Sequence, residues 1–440
     1  MSESLSRTVA PATIDSASHT RHLIAVRLLP FLFILYIANY FDRTSTAYAA
    51  LGLSRDLGFS DRVIGLGSGI FFVSYVALQV PGALLVEKWS ARRMISITMI
   101  AWGSLTALTG LVHSPNQLYI ARILLGAAEA GFFPGVIVYL SHWFIQEDRA
   151  KATSNFMGAI PLSFVVASPI AGWILSHSWR GLPGWRWLFF LEGTPAILLG
   201  VAAFFYLTDF PHQAAWLPPE RRQWIELTLQ GERSDKTQPA SVWAALRSRT
   251  VVIFAVATFF NYFTLYSFAF WFPTLLKRET GLSDMRIGLL GAIPYAVAFL
   301  VMQGVGWHSD KTLERRWHAA VPMFIAAFGL LGVISPLNSV PLAIFWFALT
   351  ASAYAYLPTF WAMPTEILSL TAAAAAVGLI NSVGSVAGFA GPYAFGYLQT
   401  RTGSPFLGLC LMAAAAVIGG MLLLRSQGRP RADGSPRTIR

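Results

Sequence analysis

A dozen apolar runs, each close to the ~20 residues needed to cross a bilayer, constrain this chain before any motif is read. They fall at roughly 24–50, 63–86, 94–112, 117–141, 152–176, 187–208, 250–275, 286–308, 318–336, 340–364, 373–399 and 405–424. A backbone in hydrocarbon must satisfy its own hydrogen bonds, so runs of this length become helices. The expected fold is an all-α polytopic membrane protein with twelve transmembrane helices. Composition agrees, because 55% hydrophobic and 12% charged residues with a mean hydropathy of +0.55 do not suit a water-soluble domain. The net charge of +11 would suggest nucleic acid if the chain were soluble. Here the basic residues sit at the ends of the runs instead. With the N-terminus placed inside, 22 Lys and Arg fall on the inner side and 8 on the outer, the positive-inside pattern. The expectation is therefore a multi-pass protein of the plasma (inner) membrane with both termini cytoplasmic and no nucleic-acid partner. The lone Cys410 excludes an internal disulfide and a cysteine metal cage, and the polar first residues lack a signal-peptide core.

An internal repeat sets the architecture. Gly58, Ser60, Asp61, Ile64 and Gly65 recur as Gly281, Ser283, Asp284, Ile287 and Gly288, a constant shift of 223. Asn39-Tyr40-Phe41 recurs as Asn261-Tyr262-Phe263 at 222, and Pro169 with Gly172 resembles Pro392 with Gly396. One offset in three helix neighbourhoods predicts two six-helix bundles in pseudo-twofold repeat, with a cavity between them near the midplane. The boundaries expected are a cytoplasmic tail over 1–22, a first bundle over 23–208, a linker with a surface helix over 209–249, a second bundle over 250–425 and a tail over 426–440. Pro218-Pro219-Glu220 marks the start of the surface helix. Ser60-Asp61 and Ser283-Asp284 fit helix N-caps.

Charge inside the apolar runs marks the candidate site. Asp42 and Arg43 stand side by side in the first run, and Arg122 and Glu129 lie about two turns apart on one face of the fourth. A charge at a helix centre costs ~2.5–3.5 kcal/mol on insertion scales, so such residues face a polar cavity or a partner. Helix neighbours do not face each other, so Asp42 and Arg43 each need other company. The second half carries no comparable internal charge, and neutral aromatic and amide contacts are expected from it. Tyr40, Tyr75, Asn261, Tyr262 and Asn381 are candidates, since a phenol or amide in a helix interior seeks a polar partner or a wet cavity. Glu192 reads as an interfacial packing or capping residue near several tryptophans. At the inner loops, Glu87 with Arg92 and Arg93, and Asp310 with Arg315 and Arg316, suggest a cytoplasmic gate of salt bridges. The same residues also serve as topology-setting charges.

The chain resembles the major facilitator superfamily over nearly its whole length, and within it the anion:cation symporter family. QVPGALLVEKWSARR is similar to the superfamily's signature loop, although Ala83, Glu87, Lys88 and Ser90 depart from its usual Gly, Asp, Arg and Gly. NYFDR, ARILLGAAEAGFFPGVIVYLSHWF, GWRWLFFLEGTPA and FWAMPTEILSLTAAAAAVGLINSVGSVAGFAGPYAFGYL carry the closer resemblance to transporters of tartrate, phthalate, hydroxyphenylacetate and sugar acids. The resemblance implies proton-coupled uptake of an organic carboxylate by alternating access. It makes Asp42 and Glu129 the protonatable acids and Arg43 and Arg122 the substrate-binding arginines. Tyr40, Tyr75, Trp361 and Asn381 would line the substrate cavity. No cofactor is expected beyond the proton as coupling ion, and a monomer in the bilayer is the expected working unit. An uncoupled carrier or a proton-driven exporter shares the same features. No metal, nucleotide or nucleophile motif points to an enzyme.

Overall fold

The computed structural model describes residues 14–145, 147–149, 152, 156, 158–234, 247–335, 339–367 and 370–426. Within them the first bundle comprises α1 (Ile14–Leu57), α2 (Asp61–Lys88), α3 (Ala91–Thr109), α4 (Pro115–Glu129) running on into α5 (Phe132–Trp143), α6 (Ala159–Leu175) and α7 (Gly184–Tyr206). A surface helix α8 (Pro219–Ser234) follows. The second bundle comprises α9 (Arg249–Thr280), α10 (Asp284–Thr312), α11 (Arg316–Ile334), α12 (Val340–Ala351) joined by a 3₁₀ turn to α13 (Tyr356–Ile367), α14 (Leu370–Thr402) and α15 (Phe406–Arg425). Counting α4 with α5 and α12 with α13 as single crossings, the described residues make twelve, six in each bundle. Nine of these segments are long and apolar enough to span a membrane on that ground alone. α1 starts inside the stretch expected to be a tail. Arg21 explains part of this, since it pairs with Asp148 at 2.6 Å and with Glu147 at 3.2 Å.

The repeated residues meet at the seam between the bundles, where α2 packs on α14, α6 on α10 and α1 on α9. The contacts are reciprocal. A Cβ on Gly65 would stand 2.7 Å from the Pro392 carbonyl oxygen, and one on Gly288 would stand 2.6 Å from Gly172 Cα. Gly172 approaches the backbone of Asp284 as Gly396 approaches that of Asp61. Small residues here let backbones close to distances that no side chain permits. Gly288→Ala is accordingly expected to cost ~1–3 kcal/mol as an overpacked contact, read as a lower denaturation temperature. Gly304→Ala on the same helix, where a Cβ meets open space, is expected to leave that temperature in place.

The connections from α1 to α2 and from α9 to α10 also repeat. Gly58 and Gly281 both adopt left-handed φ values, +64° and +63°, which suit glycine after a helix end. Ser60 then caps α2 by accepting from the Val63 N–H, whereas Ser283 makes no side-chain cap bond. The aspartates next to them do more than favour a helix start. Arg278 grips Asp61 with two hydrogen bonds of 2.7 and 2.9 Å, and Arg55 reaches Asp284 at 3.3 Å, each pair crossing the seam. Arg55 and Arg278 are themselves 223 positions apart. This end of the molecule is thus tied shut by a pseudo-twofold pair of ion pairs.

The loops at the other end hold the residues read as a gate, and the ion pairs seen there among the described residues include two that each stay within one bundle. Asp209 accepts from the Ser90 hydroxyl and the Arg92 backbone N–H, with the Arg92 guanidinium 4.0 Å away. Arg93 donates its backbone N–H to Ser90 and lies over the Trp89 ring. Asp310 pairs with Arg315, and Arg316 opens α11, whose first N–H groups are accepted by Glu314. The Glu87 side chain lies outside the described residues.

Candidate functional site

The four charges inside the first bundle form two ion pairs, each between α1 and α4. Arg43 Nη2 donates to Glu129 Oε1 at 2.7 Å, and Arg122 Nη1 lies 3.7 Å from Asp42 Oδ2. Helical spacing explains the crossing. Asp42 and Arg43 point about 100° apart, so Asp42 turns into the bundle while Arg43 turns towards the second bundle. Asp42 also accepts from Thr106 of α3 at 2.6 Å, and Arg122 donates to Thr46 and to the Gly67 carbonyl. Asp42, Arg122 and Glu129 are buried to 3% exposure or less. One carboxyl oxygen of each acid, Asp42 Oδ2 and Glu129 Oε2, has no hydrogen-bond donor.

Arg43 is the more exposed arginine, at 14% for its side chain, against 4% for Arg122. Its guanidinium lies 5.0 Å from the Tyr40 ring centroid, 5.6 Å from those of Phe71 and Tyr75, and 5.8 Å from that of Phe72. Such faces attract a cation by ~0.5–2 kcal/mol each, more when water is excluded. This aromatic cage stabilises the guanidinium in the absence of a carboxylate partner. From across the seam Tyr266 OH accepts from Arg43 Nη1 at 3.4 Å.

Two adjoining cavities of about 70 and 40 Å³ open on this centre. Tyr40, Arg43, Tyr262, Tyr266, Ile160 and Leu357 line both, so the two parts of this chamber share a wall built from both bundles. Arg122, Phe72 and Tyr354 belong to the larger part, and Tyr75, Glu129, Asn39, Asn381 and Ser385 to the smaller. Tyr354 reaches the wall from the 3₁₀ turn between α12 and α13, a local departure from α geometry of the kind common at working sites.

Of the residues singled out from the sequence, Arg43, Arg122, Glu129, Tyr40, Tyr75, Tyr262 and Asn381 line this chamber, while Asp42 lies behind it, against Arg122 and Thr106, and lines neither cavity. Trp361 stands beside Tyr262 but lines neither cavity. Asn261 lies elsewhere, fully buried with its side-chain amide against Gly419 of α15. Its match to Asn39 runs at 222 where the seam residues run at 223, and one residue on a helix is a turn of about 100°. Tyr266 and Tyr354 were not picked out. Tyr266 is the 223 counterpart of Arg43, a signal the repeat contained. Glu192, read as a packing or capping residue, caps no helix end. It sits on the buried face of α7, and neither carboxyl oxygen has a partner.

Residues 32–392 match the Major Facilitator Superfamily. A candidate tartrate transporter of Agrobacterium vitis is 40% identical over 419 residues, spanning 93% of this chain and 96% of that protein. A candidate metabolite transport protein of Pseudomonas putida, NicT, is 36% identical over 406 residues, spanning 91% and 93%. Among solved structures, a D-xylose-proton symporter superposes with a TM-score of 0.73 over 94% of this chain and 99% of its own, at 13% identity, a likeness of fold.

Proposed function

This chain belongs to the major facilitator superfamily, a family of transporters and not of enzymes, and from that premise we propose that it is a proton-coupled importer of a small organic carboxylate. Tartrate is the first substrate to test, given the name of the Agrobacterium relative. The observation that carries this reading is Arg43, held by Glu129 at 2.7 Å yet caged by rings at the chamber wall.

A guanidinium in a water-poor chamber is a strong bidentate receptor for a carboxylate. In the unloaded site Glu129 occupies that receptor. When Glu129 takes a proton, the attraction between the two groups falls away and Arg43 turns to the substrate. The rings hold the cation meanwhile, and the substrate's negative charge replaces the one Glu129 has lost. Arg122 and Asp42 repeat the arrangement one layer deeper, giving a second place for a proton and a second cation at the chamber. Proton and anion thus bind together, and the charge of the loaded centre stays balanced.

Alternating access follows from the seam. The end tied by Arg55–Asp284 and Arg278–Asp61 is closed; from Arg43 the smaller cavity runs along α1 to Tyr36, away from that end, and the larger stops at Thr46, beneath it. With the N-terminus in the cytoplasm of a bacterial inner membrane, as the distribution of Lys and Arg supports, this is the inward-facing arrangement. Rocking the bundles breaks the crossing pairs and brings the opposite loops together, where Glu87, Arg92, Arg93, Asp310, Arg315 and Arg316 form the inner gate.

Purified protein in liposomes tests the proposal. An inward proton gradient is expected to drive accumulation of L-tartrate, and a protonophore to abolish it. Tartrate exchange that ignores the gradient would leave an uncoupled carrier as the reading. Tyr266→Phe is expected to weaken tartrate binding about ten-fold, because it removes a hydrogen bond to a charged group that crosses the seam. The KM for tartrate exchange measures it.

A further inference from the structure

One acid in the first bundle has no assigned role and no visible structural one. Glu192 is 8% exposed, lies in the middle of α7, and leaves both carboxyl oxygens without a hydrogen-bond donor. A buried polar group that makes no bond calls for another account of its presence. Packing does not supply one, since its neighbour Gly193 already lets α7 close on Gly103 and Ala107 of α3. Position does. Thr106, between those two α3 residues, donates to Asp42, so the α3 segment that packs on the residue next to Glu192 also holds Asp42.

We infer that Glu192 is a third proton-carrying carboxyl of the transport machinery, and that it exchanges its proton with Asp42. The inference rests on the proton-coupled reading above.

Charge balance leads to it. Asp42 with Arg122 and Glu129 with Arg43 already neutralise one another, so Glu192 is the acid left over. An ionised, unpaired carboxylate would be heavily penalised here, and a neutral carboxyl would not. Asp42, on α1, is the charged group whose field reaches it. α6 has no charged residue, and the two arginines of α3 stand at its first turn, remote from Gly103. On α7 itself Arg186 is held by the Gly110 carbonyl and His113, at the end of the bundle where Trp185 donates to Asp56.

The step is a simple transfer. The O–H bond of Glu192 breaks as an O–H bond forms on Asp42, while the other Glu192 oxygen takes a proton from hydronium in water admitted when the outer end opens, so the Glu192 carboxyl stays neutral. Arg122 loses its internal partner and becomes available to substrate. Asp42 then releases its proton to water on the inner side, pairs again with Arg122 and closes the cycle.

Infrared difference spectroscopy on the purified full chain tests this without requiring transport. At neutral pH the wild type is expected to show the carbonyl stretch of a protonated carboxyl that is absent from Glu192→Gln and retained, shifted, in Glu192→Asp. In liposomes, Glu192→Gln is expected to keep L-tartrate exchange within about two-fold while slowing tartrate-driven proton uptake about 100-fold, with partial recovery in Glu192→Asp. An unchanged carboxyl band, or wild-type proton uptake in Glu192→Gln, overturns the inference. If the wild type itself takes up no protons with tartrate, the coupling proposal fails, and the band still decides whether Glu192 holds a proton. The aspartate variant keeps the carboxyl should the glutamine variant not fold.

Discussion

Liposomes containing Glu129→Gln are expected to exchange L-tartrate across the membrane but to lose its proton-driven accumulation altogether. The glutamine side chain has nearly the shape of a protonated glutamate and cannot ionise. Arg43 is then permanently released, the site binds anion at any pH, and the proton that Glu129 carries no longer moves with it. Exchange needs only binding and rocking, so it continues. Accumulation needs a group that gives its proton up on the inner side, and the chief one has been removed. Asp42→Asn is expected to act in the same direction through Arg122, with a larger loss of folded protein because it leaves the 4%-exposed Arg122 guanidinium without its counter-charge. Counterflow and gradient-driven uptake, measured side by side, separate the two effects. Full accumulation by Glu129→Gln would disprove the assignment of Glu129.

Arg43→Gln is expected to abolish tartrate binding at concentrations that saturate the wild type, a loss of about 100-fold or more. Truncating one partner of a buried, hydrogen-bonded charge pair costs ~2–5 kcal/mol, and each 1.4 kcal/mol is ten-fold. Lysine is not an adequate replacement. It supplies a point charge where a planar fork is needed, so Arg43→Lys is expected to recover only part of the affinity. A fold-stability control is built into the pairing. Arg43→Gln alone strands Glu129 as a buried charge and is expected to lower the denaturation temperature, while Arg43→Gln combined with Glu129→Gln restores most of it and none of the binding. Tartrate-induced thermal shifts report both quantities in one measurement.

Why was so much of the site readable beforehand? Charges inside apolar runs are too costly to be accidental, so Asp42, Arg43, Arg122 and Glu129 stood out one by one. Their partners followed less directly. The pairing of Arg43 with Glu129 and of Arg122 with Asp42 depends on how far α1 and α4 are rotated, which periodicity within each helix does not fix. Aromatic residues were harder still. In a chain that is 14% Phe, Trp and Tyr, a ring at helical spacing is as much packing as binding, and Tyr266 and Tyr354 carry no local mark. Glu192 misled for a different reason. Its neighbouring tryptophans suggested the membrane boundary, but α7 turns its small face of Gly193, Ala196 and Gly200 inward, and the acid goes with it. The inner-loop charges show a related gap, since a sequence does not say which of two alternating gates is closed.

The crossing ion pairs have a consequence for how such a molecule can be assembled. Each half carries both a plug and its socket, Arg55 with Asp61 in the first and Arg278 with Asp284 in the second. A surface that holds both complementary parts can mate with a copy of itself, as the interface of a twofold homodimer does. The single chain is thus built as two subunits of such a dimer would be, alike where they meet at the rim and unlike at the centre, where the buried charges come from one half alone.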